Sequence, residues 1–264
     1  MALVFLKQVH PLYCRISVNI LRETALYLDL FALLPCLSGS TLSLICMETG
    51  RERKVNLSQS FSQFSQCCIH SAVEIIFFPN LHKEVWEYSL LSNALSPLPS
   101  ISACRDWPAI VSYRAKVYVF GGYRLTTNER LEVERWELIG NSSFNHFQTN
   151  PCPVGDEIYL CDQRTSDRGT EAYSIASDSF RQINSPSRFE LSGSVSLAVD
   201  DTLVWLTCLG EVITQQNEDA GRILPVHDTP FLPTLLCPIK YRNGFYWRQL
   251  DGQVRCWKSP AAFP

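Results

Sequence analysis

The sequence predicts an all-β fold, a β-propeller of five to six four-stranded antiparallel blades with a short N-terminal helix. Three observations carry this reading. Short β-branched and aromatic runs recur at nearly even spacing, turn residues bound each run, and prolines fall between the units. The runs are Ile75-Ile76-Phe77-Phe78, Val117-Tyr118-Val119-Phe120, Ile158-Tyr159-Leu160-Cys161, Leu203-Val204-Trp205-Leu206 and Phe245-Tyr246-Trp247. Aligned on Ile76, Tyr118, Tyr159, Val204 and Tyr246, they stand 42, 41, 45 and 42 residues apart, within the range of propeller blades.

The chain divides into an N-terminal segment, residues 1–40, and the repeat-bearing part, residues 41–264. Residues 18–28 have helical spacing, with Ile20, Leu21, Thr24 and Leu28 on one apolar face and Ser17 or Asn19 as cap. Residues 41–47 and 52–57, around the turn at Glu48-Thr49-Gly50-Arg51, read as a hairpin matching the last two strands of a blade.

Each anchor run then has an apolar segment before it, at 67–70, 109–112, 151–154, 195–199 and 235–239. Short polar links such as Gly155-Asp156 and Asp200-Asp201 join the two as hairpins. Downstream comes an aromatic strand, with a second large residue seven or eight positions on: Tyr88 with Leu95, Trp136 with Phe144, Tyr173 with Phe180. The last unit stops after a third strand at 254–257, so strands from both ends are expected to pair and close a ring. A four-stranded sheet cannot bury both of its faces alone, and radial stacking is the economical solution for antiparallel units of this length.

Composition narrows the function. With 46% hydrophobic and 19% charged residues, the chain is no disordered segment. Its net charge of −3, from 23 basic and 26 acidic residues, argues against nucleic acid as a partner. The opening apolar run is interrupted by Lys7, Gln8 and His10, too early for a signal peptide. The most apolar stretch, 25–47, contains Asp29, Pro35 and a Ser-Gly-Ser break and is not expected to span a membrane. The expected compartment is the cytoplasm, with the 11 cysteines as reduced thiols in the places of small hydrophobes.

Residues 109–144 resemble a kelch repeat. They carry Lys116-Val117-Tyr118-Val119-Phe120-Gly121-Gly122, an acidic Glu132-Val133-Glu134, Trp136, Asn141 and Phe144. The resemblance places Tyr118, Gly121, Gly122, Trp136 and Phe144 in the structural motif, with Tyr88, Tyr173 and Phe180 at ring positions of neighbouring units. The glycine pair would end a strand in conformations a side chain resists and let a neighbour approach. Other units hold Pro79-Asn80, Asp162-Gln163 and Thr207-Cys208 in its place. The whole is similar to a degenerate kelch protein over roughly 62–260.

No catalytic, cofactor or metal residues are assigned: the five histidines lack ligand spacing, and no nucleophile elbow or phosphate loop occurs. Cys67-Cys68 are adjacent on an expected strand and point to opposite faces. The loops joining second and third strands emerge together and carry Lys83, Arg124, Arg130, Arg164, Arg168 and Arg248, with His82 and Asn128 beside them. Arginine suits binding surfaces because its planar fork pairs with carboxylates and stacks on rings. These six are the candidate partner-binding residues, facing acidic or mixed peptides. The expected function is a non-enzymatic protein-binding scaffold, with a substrate adaptor as its sharper form. The alternatives are an F-box-like ubiquitin-ligase receptor, resting on residues 18–28, and an enzyme using the propeller as scaffold.

Overall fold

A computed structural model describes residues 33–46, 52–61, 65–71, 73–147, 149–161, 170–183, 195–199, 202–206, 211–214, 223–225, 239–241, 244–248 and 254–258. The helix expected over 18–28 lies outside the described residues. The described part is all-β.

Strands β1 (Leu33–Cys46) and β2 (Glu52–Phe61) form a two-stranded antiparallel sheet. Four four-stranded antiparallel meanders follow, each with its strands in chain order. The first is β3 (Gln66–Ser71), β4 (Glu74–Phe78), β5 (Val85–Ser89) and β6 (Ala94–Leu98); the second is β7 (Ala109–Tyr113), β8 (Lys116–Phe120), β9 (Asn128–Glu132) and β10 (Arg135–Ile139). The third is β11 (Asn150–Val154), β12 (Glu157–Cys161), β13 (Thr170–Ser174) and β14 (Ser179–Ile183); the fourth is β15 (Val195–Val199), β16 (Thr202–Leu206), β17 (Glu211–Thr214) and β18 (Ile223–Pro225). A three-stranded sheet ends the described chain: β19 (Ile239–Tyr241), β20 (Gly244–Arg248) and β21 (Val254–Lys258).

The anchors Ile76, Tyr118, Tyr159, Val204 and Tyr246 each occupy the third position of a second strand. In β4, β8 and β12 the runs are apolar without alternation because both faces of the strand are covered. Ile75 and Phe77 pack with Leu42, Leu44, Val55, Leu57 and Phe61 of the N-terminal hairpin. Their neighbours Ile76 and Phe78 point the other way, onto Ile110, Val117 and Val119 of the next sheet. Tyr118 and Phe120 in turn meet Ile158, Leu160 and Tyr173, and Cys152 and Cys161 meet Leu203. Burial declines outward, so the fourth strands β6, β10 and β14 are largely exposed.

The sheets converge at their first strands: β3 lies beside β7, β7 beside β11, and β11 beside β15. His70 and Ser112 join the first such pair, with Nδ1 and Oγ 3.0 Å apart. The hairpin neighbours both ends of the series, β2 lying near β6 and β1 near β20. The expected pairing of strands from the two ends into one sheet is not what is seen. Among the described residues the hairpin and the last sheet keep separate ladders, with β1 lying near β20. Strand β1 also starts at Leu33, inside the segment expected to precede the repeats.

One ring pair is corrected. Tyr88 faces Leu95 across β5–β6, and Tyr173 faces Phe180 across β13–β14, as expected. Trp136, however, lies on β10 and faces Leu131, while Phe144 follows in the linker. The reason is turn length: 90–93 and 175–178 connect the first two pairs, but only Val133 and Glu134 connect β9 to β10. Shortening the turn by two residues reduces a spacing of seven to five. Trp136 therefore corresponds to Phe180, and both contact an aromatic of the preceding sheet, Trp136 on Phe78 and Phe180 on Phe120.

The longer turns share a device, Tyr88 Oη donating to Asn93 Oδ1 at 2.5 Å and Tyr173 Oη to Asp178 Oδ1 at 2.7 Å. Asn93 and Asp178 both take positive φ, which short polar side chains tolerate. Val133, β-branched, has φ 54° and is 95% exposed. It sits at the first central position of a two-residue hairpin, where positive φ favours glycine. Val133→Gly is expected to raise the melting temperature by about 2 °C, since left-handed strain of ~1 kcal/mol is relieved and little packing is lost. A drop in a thermal melt would mean the side chain packs on something.

Candidate functional site

The connections between second and third strands, 79–84 and 121–127, meet the linker residues 99–108 and 140–147 on one face. Linker backbone binds both loops: the Leu81 amide donates to Arg105 O at 2.9 Å and the Tyr123 amide to Asp106 O at 2.8 Å. Asn80 completes the hold, donating from Nδ2 to Asp106 Oδ1 and accepting the Trp107 amide at Oδ1, both at 2.9 Å. The glycine pair serves the second linker. Gly122 donates to Asn145 O at 2.7 Å, and a Cβ on Gly121 would lie 2.0 Å from that same oxygen.

Beneath the loops lies a polar clasp that occurs twice. Glu129, second residue of β9, accepts the Ser102 amide at 2.8 Å and the Arg105 guanidinium at 2.7 Å. Glu171, second residue of β13, accepts the Ser143 amide at 3.0 Å and His146 Nε2 at 2.9 Å. A carboxylate only accepts, so Nε2 of His146 carries the proton. Arg105 and Glu129 have side chains 1% and 2% exposed, and His146 and Glu171 0% and 1%. Arg105 also donates to Gly121 O at 2.6 Å and Thr127 O at 2.7 Å, satisfying carbonyls of the turn it supports. Burial alone would push the Glu171 carboxyl up; the hydrogen bonds from His146 and Ser143 outweigh it and leave that carboxyl below its ordinary value. In the first sheet Trp86 stands at the corresponding position.

The clasps were not among the residues singled out from the sequence. Their signal was there: Ser102 and Arg105, like Ser143 and His146, are three apart, and the carboxylates recur at the repeat period. Apolar alignment alone passes over such residues.

The six candidate partner-binding residues have different fates. Lys83 and Arg124 are exposed in loops of the same face. Arg130 belongs to β9 and is engaged within its sheet, with Nε 2.7 Å from Glu132 and Nη2 3.4 Å from Glu137. Lys116 shares Glu132, and its hydrogen bond leads in holding that carboxyl below the usual range. Arg248 ends β20, and Arg164 and Arg168 lie outside the described residues. Of the flanking residues, His82 Nδ1 faces Glu84 at 3.5 Å. Asn128 is wholly buried, accepting the Gly121 amide at 3.0 Å and donating to Gly140 O at 2.7 Å. It is a support for the turn, not a surface ligand.

Among the described residues no cluster of three or more His, Cys, Asp or Glu could hold a metal ion. Among the described residues no helix is long and apolar enough to cross a membrane. No protein-family model matches the chain, and no curated protein matches it.

Proposed function

We propose that the chain is a six-bladed, kelch-like propeller that binds another protein through its loop face and has no enzymatic activity. The ring reading takes the N-terminal hairpin and the three-stranded sheet as incomplete blades flanking four complete ones. It is supported by first strands that neighbour one another in series and by the hairpin's position beside both the first and last sheets. The observation that carries the binding reading is the gathering of the loops of two successive sheets onto one linker, with Lys83 and Arg124 exposed on them. Loops fixed on a rigid scaffold are where binding residues concentrate.

Cross-linking of the full chain to its partners in cells, read by mass spectrometry, tests this. Cross-links are expected to concentrate in 79–84 and 121–127. Cross-links confined to the opposite turns, around Arg114 and Val133, would overturn the assignment of this face. The adaptor and F-box forms depend on residues 18–28. The enzyme alternative draws support from His70 and Ser112, a base beside a hydroxyl; labelling of Ser112 by a serine-reactive phosphonate would favour it.

A further inference from the structure

The loop face presents side chains whose arrangement points to a particular kind of partner. Leu81 is 61% exposed and Tyr123 48%, on loops whose amides are fixed by successive linker carbonyls. The Tyr123 ring meets Phe147 edge-on at 5.5 Å. Arg124 lays its guanidinium 4.9 Å from the centre of the Tyr123 ring.

Arg114 lies over Tyr113 in the same way, 5.3 Å from the ring centre, but is also paired with Asp156. Arg105, Arg114, Arg130, Arg135 and Arg181 each meet a carboxylate. Arg124 makes no ion pair with any described residue, and neither does Lys83. The nearby carboxylates are engaged, Asp106 with Asn80 and Glu84 with His82. A guanidinium stacked on a ring keeps its N–H edge open for an incoming carboxylate, and the ring beneath limits its movement.

The backbone at two of these residues is left-handed, as it is at seven other non-glycine residues among those described. Leu81 has φ 62° and Arg124 φ 61°. Neither is a residue type that readily takes the left-handed region, and both side chains point outward to solvent rather than into the core.

We propose that Leu81, Lys83, Tyr123, Arg124 and Phe147 form a preformed platform for an extended segment of a partner protein, one that presents a carboxylate next to an aromatic or large aliphatic side chain. The carboxylate takes the Arg124 fork, with Lys83 adding charge; the apolar side chain lies against Tyr123 and Leu81, where its contact keeps water from the ion pair. The fixed loops reduce the ordering that binding requires. This rests on the protein-binding reading above and names the partner's chemistry.

The full chain is immobilised and panned with a random twelve-residue phage-displayed peptide library. Enriched peptides are expected to carry Asp or Glu within two residues of Phe, Tyr, Trp or Leu, and their synthetic forms to bind less tightly as salt rises. Leu81→Gly and Arg124→Gly remove the side chain and the strain together. Each variant is expected to melt no lower than the parent and to bind the selected peptides at least tenfold more weakly. Enrichment of basic or uncharged motifs, no enrichment at all, or unchanged affinity in both variants would overturn the platform. Unchanged affinity with cross-links still on the loop face would remove the platform and leave the protein-binding reading standing.

Discussion

Gly121→Ala is expected to destabilise the protein by about 4 kcal/mol or more, among the larger effects of any single substitution. Two causes combine. At φ 53° a side chain in the left-handed region costs roughly 1–2 kcal/mol. The added methyl would then sit 2.0 Å from Asn145 O and 2.6 Å from Asn145 C, both backbone, so the linker to the third sheet must move. Moving it disturbs the Gly122–Asn145 bond and the adjoining His146–Glu171 clasp. Gly155→Ala is the matched control: φ is 58°, yet nothing lies within 4 Å of the added carbon. It is expected to cost only about 1 kcal/mol, from the backbone alone. Equal losses in urea unfolding of the two variants would show that close approach of the linker is not what requires Gly121.

Glu129→Ala is expected to cost about 3–5 kcal/mol, because it leaves the Arg105 guanidinium buried without its carboxylate. Arg105→Ala is expected to be similarly severe, because Glu129 then keeps only the Ser102 amide and the carbonyls of Gly121 and Thr127 lose the guanidinium. Since the two residues act as one unit, the double variant should cost less than the sum of the singles. A double-mutant cycle in chemical denaturation reads this directly, and additive losses would mean the pair is not coupled. His146→Ala is expected to cost less, because His146 bonds Glu171, whereas Arg105 also serves two turn carbonyls.

The repeat was legible because its signal is apolar. Second strands buried on both faces must be continuous hydrophobic runs, and aligning those runs placed all five anchors at one structural position. The glycine pair was legible because positive φ and close approach leave few alternatives to glycine. The ring pair of the second sheet was misassigned because a fixed spacing was assumed across turns of different length, and Val133 gives no sequence hint of the tight turn it occupies.

The loop cations were harder. Their residue type was visible, but Arg130 and Arg124 look alike in sequence. Only the structure separates the arginine paired with Glu132 and Glu137 from the one stacked on Tyr123. Leu81, Tyr123 and Phe147 drew no notice because isolated apolar residues between strands are common on protein surfaces.

Closure of the sheets into one ring is the claim on which the loop face depends, and small-angle X-ray scattering of the full chain in solution tests it most directly. A single closed body of this length is expected to give a radius of gyration of about 18 Å with a compact, single-peaked distance distribution. A radius well above that, with a long tail of distances, would contradict it, since the sheets would then form an open array.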